Sequence, residues 1–188
     1  MSAICIMGES GSGKTTSLRN LDPKTTFIID ADKKGLSWKG WKDGFNGAAK
    51  NYLKTDFPQV ALQALTKVNE DKAFKHIKVC VVDTINGLMV ADEMRRAKEK
   101  NYDKWMDLAQ SIYDLVDYAL TVRDDLTVIF VAHTQTDHDE QGYIWTRIKT
   151  SGRKLDKIVL ESKFSTVLLA KCVDGEYKFE TQSKFSTD

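Results

Sequence analysis

The sequence has few of the residues that mark disordered, secreted or membrane proteins. Only two of its 188 residues are prolines and 41% are hydrophobic, which excludes a disordered or collagen-like chain. No apolar run approaches the roughly 18 residues that a membrane-spanning helix needs, and the N-terminus has no signal-peptide pattern. We therefore expect one globular domain over residues 1–188, no membrane partner and a cytoplasmic location.

Cysteine is scarce, and neither sign of charge dominates. Cys5, Cys80 and Cys172 lie far apart among β-forming residues, which predicts buried thiols in a reducing compartment and neither a disulfide framework nor a zinc site. The 28 basic and 27 acidic side chains give a net charge of +1. Binding to a polyanion would therefore require a local basic patch.

Short apolar runs alternate with amphipathic stretches along the chain. Strands are predicted at residues 3–7, 25–29, 77–82, 126–132, 166–171 and 177–181. Helices are predicted at residues 14–21, 56–69 with Asp56 as N-cap, 88–100, 103–123 and 153–160, a loop at 33–47, and a loop or hairpin at 134–151. This alternation indicates an α/β fold with a mostly parallel central sheet flanked by helices, and the last strands form a C-terminal β extension.

The loop between the first predicted strand and helix fits the phosphate-loop pattern G-x-x-x-x-G-K-[ST]. It consists of Gly8, Glu9, Ser10, Gly11, Ser12, Gly13, Lys14 and Thr15, and Thr16 follows. Backbone N–H groups of such a loop surround a phosphate. We expect Lys14 to contact the β- and γ-phosphates of ATP and the Thr15 hydroxyl to ligate Mg²⁺. Asp83, at the carboxyl end of an apolar strand, is the expected second metal ligand.

Other motifs narrow the class of phosphate-loop protein. The guanine-specifying N-K-x-D signature is absent, and so is the L-S-G-G-Q signature of transporter ATPases. A small-molecule kinase stays open, since Arg95, Arg96 and Lys98 could belong to a lid.

Four segments, in the same order along the chain, resemble the core of the RecA-like recombination ATPases. Residues 8–16 are similar to that family's phosphate loop. Residues 27–32 read F-I-I-D-A-D, similar to its strand that ends in D-A-E, and residues 81–88 read V-V-D-T-I-N-G-L, similar to its V-V-D-S-x-x-x-L. Residues 129–133 read I-F-V-A-H, similar to a strand that ends in a polar residue.

The resemblance implies a RecA-like P-loop NTPase fold and roles for particular side chains. Asp83 would hold the metal, and Asp32, one methylene shorter than the family's Glu, would activate the attacking water. His133, where the family has Gln, would sense the γ-phosphate and relay it to DNA-binding loops. With Lys14, these residues form the expected catalytic set.

The resemblance also implies a function. Because the phosphate loop begins at residue 8, we expect the chain to lack the N-terminal segment through which RecA subunits form filaments. It resembles the minimal, core-only RecA-like ATPases of phages. These act in homologous recombination or single-strand annealing, so the resemblance implies Mg²⁺-dependent ATP hydrolysis coupled to single-stranded DNA, a homo-oligomer, and a single-strand-binding or annealing protein as partner.

Two basic segments are candidates for contact with nucleic acid. Residues 33–42 combine lysines with tryptophans, which pairs phosphate contact with a stacking surface, and basic residues outnumber acidic ones in residues 141–163 around Trp145. The candidates are Lys33, Lys34, Trp38, Trp41, Arg147, Lys149, Arg153 and Lys154. By the resemblance, Arg147, Arg153 or Lys154 could also reach a neighbouring subunit's nucleotide. The alternatives are a Trp-anchored loop over a sheet edge and an ordinary solvated surface.

Two other functions stay open on the sequence. One is an ATP-dependent regulatory or assembly module that acts on a protein partner without DNA. The other is a phosphotransferase that acts on a small acceptor.

Overall fold

The computed structural model describes residues 2–99, 103–138, 144–151 and 159–181. Its strands are β1 (Ser2–Gly8), β2 (Thr26–Asp30), β3 (Tyr52–Lys54), β4 (Val79–Asp83), β5 (Thr127–His138), β6 (Ile144–Ile148), β7 (Thr166–Val173) and β8 (Glu176–Glu180). Its α-helices are α1 (Lys14–Ser17), α2 (Trp41–Gly44), α3 (Pro58–Glu70), α4 (Ile85–Arg95) and α5 (Asp103–Ala119). Short 3₁₀ segments lie at Leu18–Asn20, Lys72–Phe74 and Leu160–Lys163. Arg153, Lys154 and most of the predicted helix at 153–160 lie outside the described residues.

The strands form one twisted sheet with the order β3-β2-β4-β5-β1-β7-β8, and β6 pairs with β5. All neighbours from β3 to β7 are parallel, whereas β8 is antiparallel to β7 and β6 is antiparallel to β5. The predicted mostly parallel sheet and the C-terminal β extension are therefore confirmed.

Strand register brings the ends of the central strands together. Gly8 lies opposite His133 in the pairing of β1 with β5, and Asp30 lies opposite Asp83 in the pairing of β2 with β4. The carboxyl ends of parallel strands share one edge of the sheet, which is where ligands bind in open α/β folds. The phosphate loop, Asp83 and His133 thus meet at this edge.

Two apolar layers cover the sheet. Leu65 of α3 and Leu115 of α5 are fully buried on one face, because both helices place their apolar stripes on the central strands. On the other face, Leu36 and Phe45 of the loop after β2 pack with Leu18. None of the helices in the described part of the chain has the length and hydrophobicity to cross a bilayer.

The cysteines differ in part from expectation. Cys5 and Cys80 are buried in the central strands, and burial raises the pKa of both thiols. Cys172 is exposed, since it lies on β7 toward the border of the sheet, and the prediction of a buried thiol there is wrong.

Two helices begin elsewhere than predicted. Helix α3 starts at Pro58, whose fixed φ suits the first helical turn, and Asp56 is not its N-cap. The Asp56 carboxylate instead pairs with Lys33 and Arg95. Helix α4 starts at Ile85, three residues before the predicted start, because the Thr84 hydroxyl accepts a hydrogen bond from the Gly87 N–H at 3.1 Å and caps the helix.

The polar stretch after the predicted strand at 126–132 is a hairpin, one of the two alternatives left open. Strand β5 continues to His138, and Thr134 and Thr136 pair with Ile148 and Thr146 of β6. Ile148 is 2% exposed and anchors β6 to the core. The short elements β3 and α2 were not predicted.

Candidate nucleotide site

The phosphate loop has little room for side chains at two glycines. A Cβ at Gly8 would lie 2.5 Å from the Ala170 carbonyl oxygen on β7 and 2.6 Å from Ser12 Oγ. Gly13 has φ +85°, a left-handed conformation that favours glycine, and its Cβ would lie 2.7 Å from the ring of Tyr177. The glycines therefore allow the loop to pack against β7 and β8 while its backbone turns into α1.

Lys14 lies inside the loop and is 6% exposed. Its ammonium donates hydrogen bonds to the carbonyl oxygens of Gly8, at 2.9 Å, and Glu9, at 2.6 Å. Burial lowers the pKa of Lys14, and the negative charge of Asp83 opposes that shift. A cation held only by neutral carbonyls is available for phosphate oxygens, which bind it more strongly through charge-assisted hydrogen bonds.

Thr15 and Asp83 meet at the end of β4. The Thr15 hydroxyl donates to Asp83 Oδ2 at 2.8 Å. Asp83 is 3% exposed, and burial raises the pKa of its carboxyl to about 6. Its other oxygen, Oδ1, is buried and has no hydrogen-bond partner among the described residues.

This pair fits a Mg²⁺ ion. A hydroxyl and a carboxylate are the hard oxygen ligands that Mg²⁺ prefers, and the unpartnered Asp83 Oδ1 would gain a partner from the ion or its water shell. Nowhere in the described parts of the chain do three or more His, Cys, Asp or Glu side chains form a metal cluster. The fit is therefore to an ion that takes its remaining ligands from nucleotide phosphates and water, as Mg²⁺ does in phosphoryl-transfer sites.

Asp32 lies just after β2, beside the start of α4. Its Oδ1 accepts a hydrogen bond from the Thr84 hydroxyl at 2.9 Å, and its Oδ2 pairs with the Lys34 ammonium at 2.5 Å. Any Cβ at Gly87 would collide with this carboxylate, so glycine there allows α4 to approach it. Both oxygens of Asp32 are thus oriented by neighbours that line the nucleotide cavity.

His133 connects the cavity to the hairpin of β5 and β6. Its backbone N–H donates to Asn86 Oδ1 at 2.7 Å, and the Asn86 amide donates to the Lys149 carbonyl at 2.5 Å. Burial lowers the pKa of His133, and the charge of Lys14 lowers it further, so the imidazole is neutral at pH 7. Asn86 was not predicted as a site residue, because nothing in the local sequence indicates that its side chain bonds both His133 and Lys149.

A cavity of about 560 Å³ lies at the phosphate loop. Besides the loop and α1, its lining includes Lys34, Ser37, Thr84 and His133 together with Arg19, Asn20, Tyr177, Lys178 and Phe179. The contribution of β8 to this cavity was not predicted from the sequence. Its signal is two aromatic side chains at alternate positions of an edge strand, Tyr177 and Phe179, which are 66% and 44% exposed.

The first basic segment is largely packed against the protein. Trp38 lies edge-on to Phe45 with ring centroids 6.2 Å apart, and the ring centroids of Trp41 and Tyr52 are 4.9 Å apart. Both indoles are partly buried on the second apolar layer, which accounts for them without a nucleic acid. The Lys33 ammonium pairs with Asp56 at 2.6 Å. The role of this segment in DNA binding stays a prediction.

The second basic segment presents one face of β6. Trp145 and Lys149 are exposed, and Arg147 between them is partly exposed and pairs with Asp137 at 2.7 Å. Alternate residues of a strand point to the same side, so Trp145 and Arg147 share a face of β6 while Ile148 points into the core, and Lys149 directly follows the strand.

Comparison with known proteins identifies the family of the chain and proteins of similar fold. The family model described as an AAA domain matches residues 2–186. The chain belongs to this family. No curated protein matches the chain by sequence.

Two solved structures are similar to the chain. A KaiC-like protein from the hyperthermophilic archaeon Pyrococcus horikoshii OT3 is 13% identical with a TM-score of 0.52, and the match covers 95% of this chain and 76% of that one. The flagellar accessory protein FlaH from Methanocaldococcus jannaschii is 16% identical with a TM-score of 0.46, and the match covers 95% and 75%. At identities this low, a structural match shows a shared fold alone. The match to the KaiC-like protein is the one that shows it here.

The family match and the fold together give the class of the protein. It is an AAA-type ATPase domain with a RecA-like P-loop NTPase fold, which confirms the predicted fold class.

Proposed function

We propose that the chain hydrolyses ATP with Mg²⁺ as cofactor. The observation that carries this proposal is the buried Thr15–Asp83 hydrogen bond beside an Asp83 oxygen without a described partner. Thr15 and Asp83 would hold Mg²⁺, which when bound neutralises charge on the phosphates. Lys14 would bind the β- and γ-phosphates together with the loop residues 8–16.

Asp32 is the proposed general base. Its carboxylate pairs with the Lys34 ammonium and accepts a hydrogen bond from the Thr84 hydroxyl, and both of these neighbours line the cavity. In the reaction, water bonds to the γ-phosphorus while the bond to the bridging oxygen breaks and ADP departs with the electron pair. Asp32 accepts the proton of the attacking water.

The proposed substrate partner is single-stranded DNA, bound in homologous recombination or annealing of the phage type. Trp145 and Arg147 on one face of β6, with Lys149 directly after the strand, combine an aromatic ring with cations, which is the chemistry that single strands need. The Asn86 bridge from Lys149 to His133 gives this face a route to the nucleotide. Coupling of this kind favours a homo-oligomer, and a single-strand-binding or annealing protein is the proposed second partner.

A second candidate is a module that acts on a protein partner without DNA. The observation that favours it is on α4, where Val90 and Met94 are 52% and 69% exposed. Residues four apart share a helix face, so the two form an apolar spot that a partner protein could cover.

Steady-state phosphate release with and without a single-stranded oligonucleotide separates these candidates. We expect stimulation by the oligonucleotide, its loss in a variant with Arg147→Ala and Lys149→Ala, and no effect of Lys24→Ala, an exposed lysine in the turn before β2. Turnover that is indifferent to DNA would favour the protein-partner module. ATP consumption without equivalent free phosphate would instead identify a phosphotransferase.

A further inference from the structure

Lys34 is a second cation at the phosphate end of the cavity, and neither the phosphate-loop motif nor the metal pair accounts for it. Its side chain is 55% exposed and lines the cavity, yet its ammonium lies 2.5 Å from Asp32 Oδ2. Asp32 accepts a hydrogen bond from the hydroxyl of Thr84, the residue that directly follows Asp83. The Lys34 ammonium is therefore placed beside the metal pair and the proposed base.

The other cations of the cavity wall lie elsewhere. Arg19 belongs to the 3₁₀ segment after α1, and Lys178 lies on β8, where its ammonium pairs with Glu176. Lys14 is enclosed by its own loop. Lys34 is thus the cavity cation that is paired with the proposed base.

The backbone on both sides of Lys34 is held in place. Lys33 has φ 57° and Gly35 has φ +84°, two left-handed residues that make a tight bend around Lys34. The Gly35 N–H donates to Asp30 Oδ2 at 2.8 Å, and the Tyr52 hydroxyl donates to the same oxygen at 2.5 Å. Asp30 is 2% exposed, so this anchor is part of the core.

Side-chain packing fixes the same bend. A Cβ at Gly35 would lie 2.8 Å from the Trp41 ring, so the indole covers the bend directly. Farther along the loop, Ser37 shares a hydrogen bond of 2.7 Å with Thr16 of α1. The tryptophan-bearing loop is therefore tied to the core and to the phosphate loop. The backbone at Lys34 is held in place, while its side chain is 55% exposed and contacts the protein through Asp32.

The charge of Lys34 suits the terminal phosphate of ATP. Burial is the largest single influence and opposes the charged form, but the hydrogen bond to Asp32 and the negative charges of Asp32, Asp83 and Asp30 together outweigh it. The pKa of Lys34 is therefore raised, and the side chain is a cation at neutral pH. ATP brings one phosphate more than ADP into the cavity. The Lys34 ammonium pairs with Asp32, and rotation of the Lys34 side chain can bring it to a phosphate oxygen instead.

We propose that Lys34 binds the γ-phosphate of ATP in the chain's own site, and that its departure from Asp32 leaves that carboxylate able to accept the proton of water. This inference rests on the proposed ATPase function. In the absence of nucleotide, the Asp32 carboxylate is engaged in its ion pair with Lys34. When ATP binds, its γ-phosphate replaces Asp32 as the partner of Lys34, whereas ADP has no phosphate at that position. Lys34 thereby distinguishes ATP from ADP, and only ATP releases Asp32 to act as the base.

The test compares affinities for a non-hydrolysable ATP analogue and for ADP, both with Mg²⁺, by titration calorimetry. In Lys34→Ala, and in Lys34→Gln, which keeps most of the side-chain length without the charge, we expect the affinity for the analogue to fall roughly tenfold or more, because a charge-assisted hydrogen bond is lost. The affinity for ADP should change less than about twofold, within the range of a weak surface effect. Lys39→Ala, an exposed lysine of the same loop, is the matched control.

The outcomes separate this inference from the function beneath it. Wild-type protein that binds both nucleotides, with variants that lose equal affinity for both or for neither, would overturn the role of Lys34 and leave the ATPase intact. Wild-type protein that binds neither nucleotide would overturn the proposed function and this inference with it. Thermal denaturation of the variants shows that they are folded, as expected for a half-exposed side chain.

Discussion

The backbone of Lys149, on the exposed hairpin, donates a hydrogen bond of 2.8 Å to the carbonyl of His133, on the wall of the nucleotide cavity. Asn86 binds the same two residues from α4, accepting from one backbone and donating to the other. The cavity and the hairpin are therefore joined by backbone bonds and one buried amide, and this joint is where nucleotide state and hairpin position can be coupled.

Asn86→Ala should break this joint. Asn86 is 8% exposed, so its loss leaves the His133 N–H and the Lys149 carbonyl without their partner. We expect the free energy of unfolding to fall by about 1 to 3 kcal/mol, and stimulation by DNA to weaken. Urea denaturation measures the first effect. Gln110→Ala, an exposed amide on α5, is the control and should change stability by less than about 0.5 kcal/mol.

Asp32→Asn should separate binding from hydrolysis. The amide keeps the size of the carboxylate and can still accept from Thr84, but it cannot take a proton from water. We expect the hydrolysis rate to fall at least about tenfold while ATP affinity is retained. Phosphate release and nucleotide titration on the same preparation check both halves, and equal turnover in the variant would refute the role of Asp32 as base.

Asp83→Asn should stabilise the Mg²⁺-free protein while it removes activity. Burial raises the pKa of this carboxyl to about 6, so the charged form costs stability at neutral pH. Since the folded-state pKa lies above the unfolded value, wild-type protein has its full stability below about pH 4 and loses it as the pH rises through 6. We expect the variant to be more stable by about 1 to 3 kcal/mol at pH 7.5, with the difference vanishing near pH 4. A gap that does not depend on pH would contradict this.

Trp41→Ala distinguishes packing from DNA contact in the first basic segment. The Trp41 ring lies against Tyr52 and covers Gly35, so its removal should destabilise the protein by about 2 to 3 kcal/mol. Denaturation monitored by far-UV circular dichroism measures this. A tryptophan that serves to stack bases would instead lose DNA affinity with stability unchanged.

Local signals in the sequence were enough to predict the fold class and to select the candidate site residues that directly follow strands. The phosphate loop, Asp83 and His133 come directly after apolar runs, and parallel strands bring such positions to one edge. The sequence left a loop and a hairpin open because the second half of β5 is polar. Antiparallel pairing with β5 and the burial of Ile148 fix β6 in the structure.

Other parts of the site depend on packing between distant segments. Lys34 and its anchor Asp30 belong to a bend that Trp41 covers, and Asn86 reaches two strands at once. Tyr177 comes to the cavity from an edge hairpin. None of these residues has a periodicity or motif of its own. The prediction that Asp56 caps α3 was wrong because its carboxylate pairs with Lys33 and Arg95, which are distant in the sequence.

The most direct test of the account is the rate of phosphate release from ATP by the wild-type protein, measured with Mg²⁺ and again with the metal chelated, beside Lys14→Ala and the control Lys24→Ala. We expect turnover that requires Mg²⁺, persists in Lys24→Ala and is abolished in Lys14→Ala. Turnover that survives either the Lys14→Ala change or the removal of Mg²⁺ would contradict it.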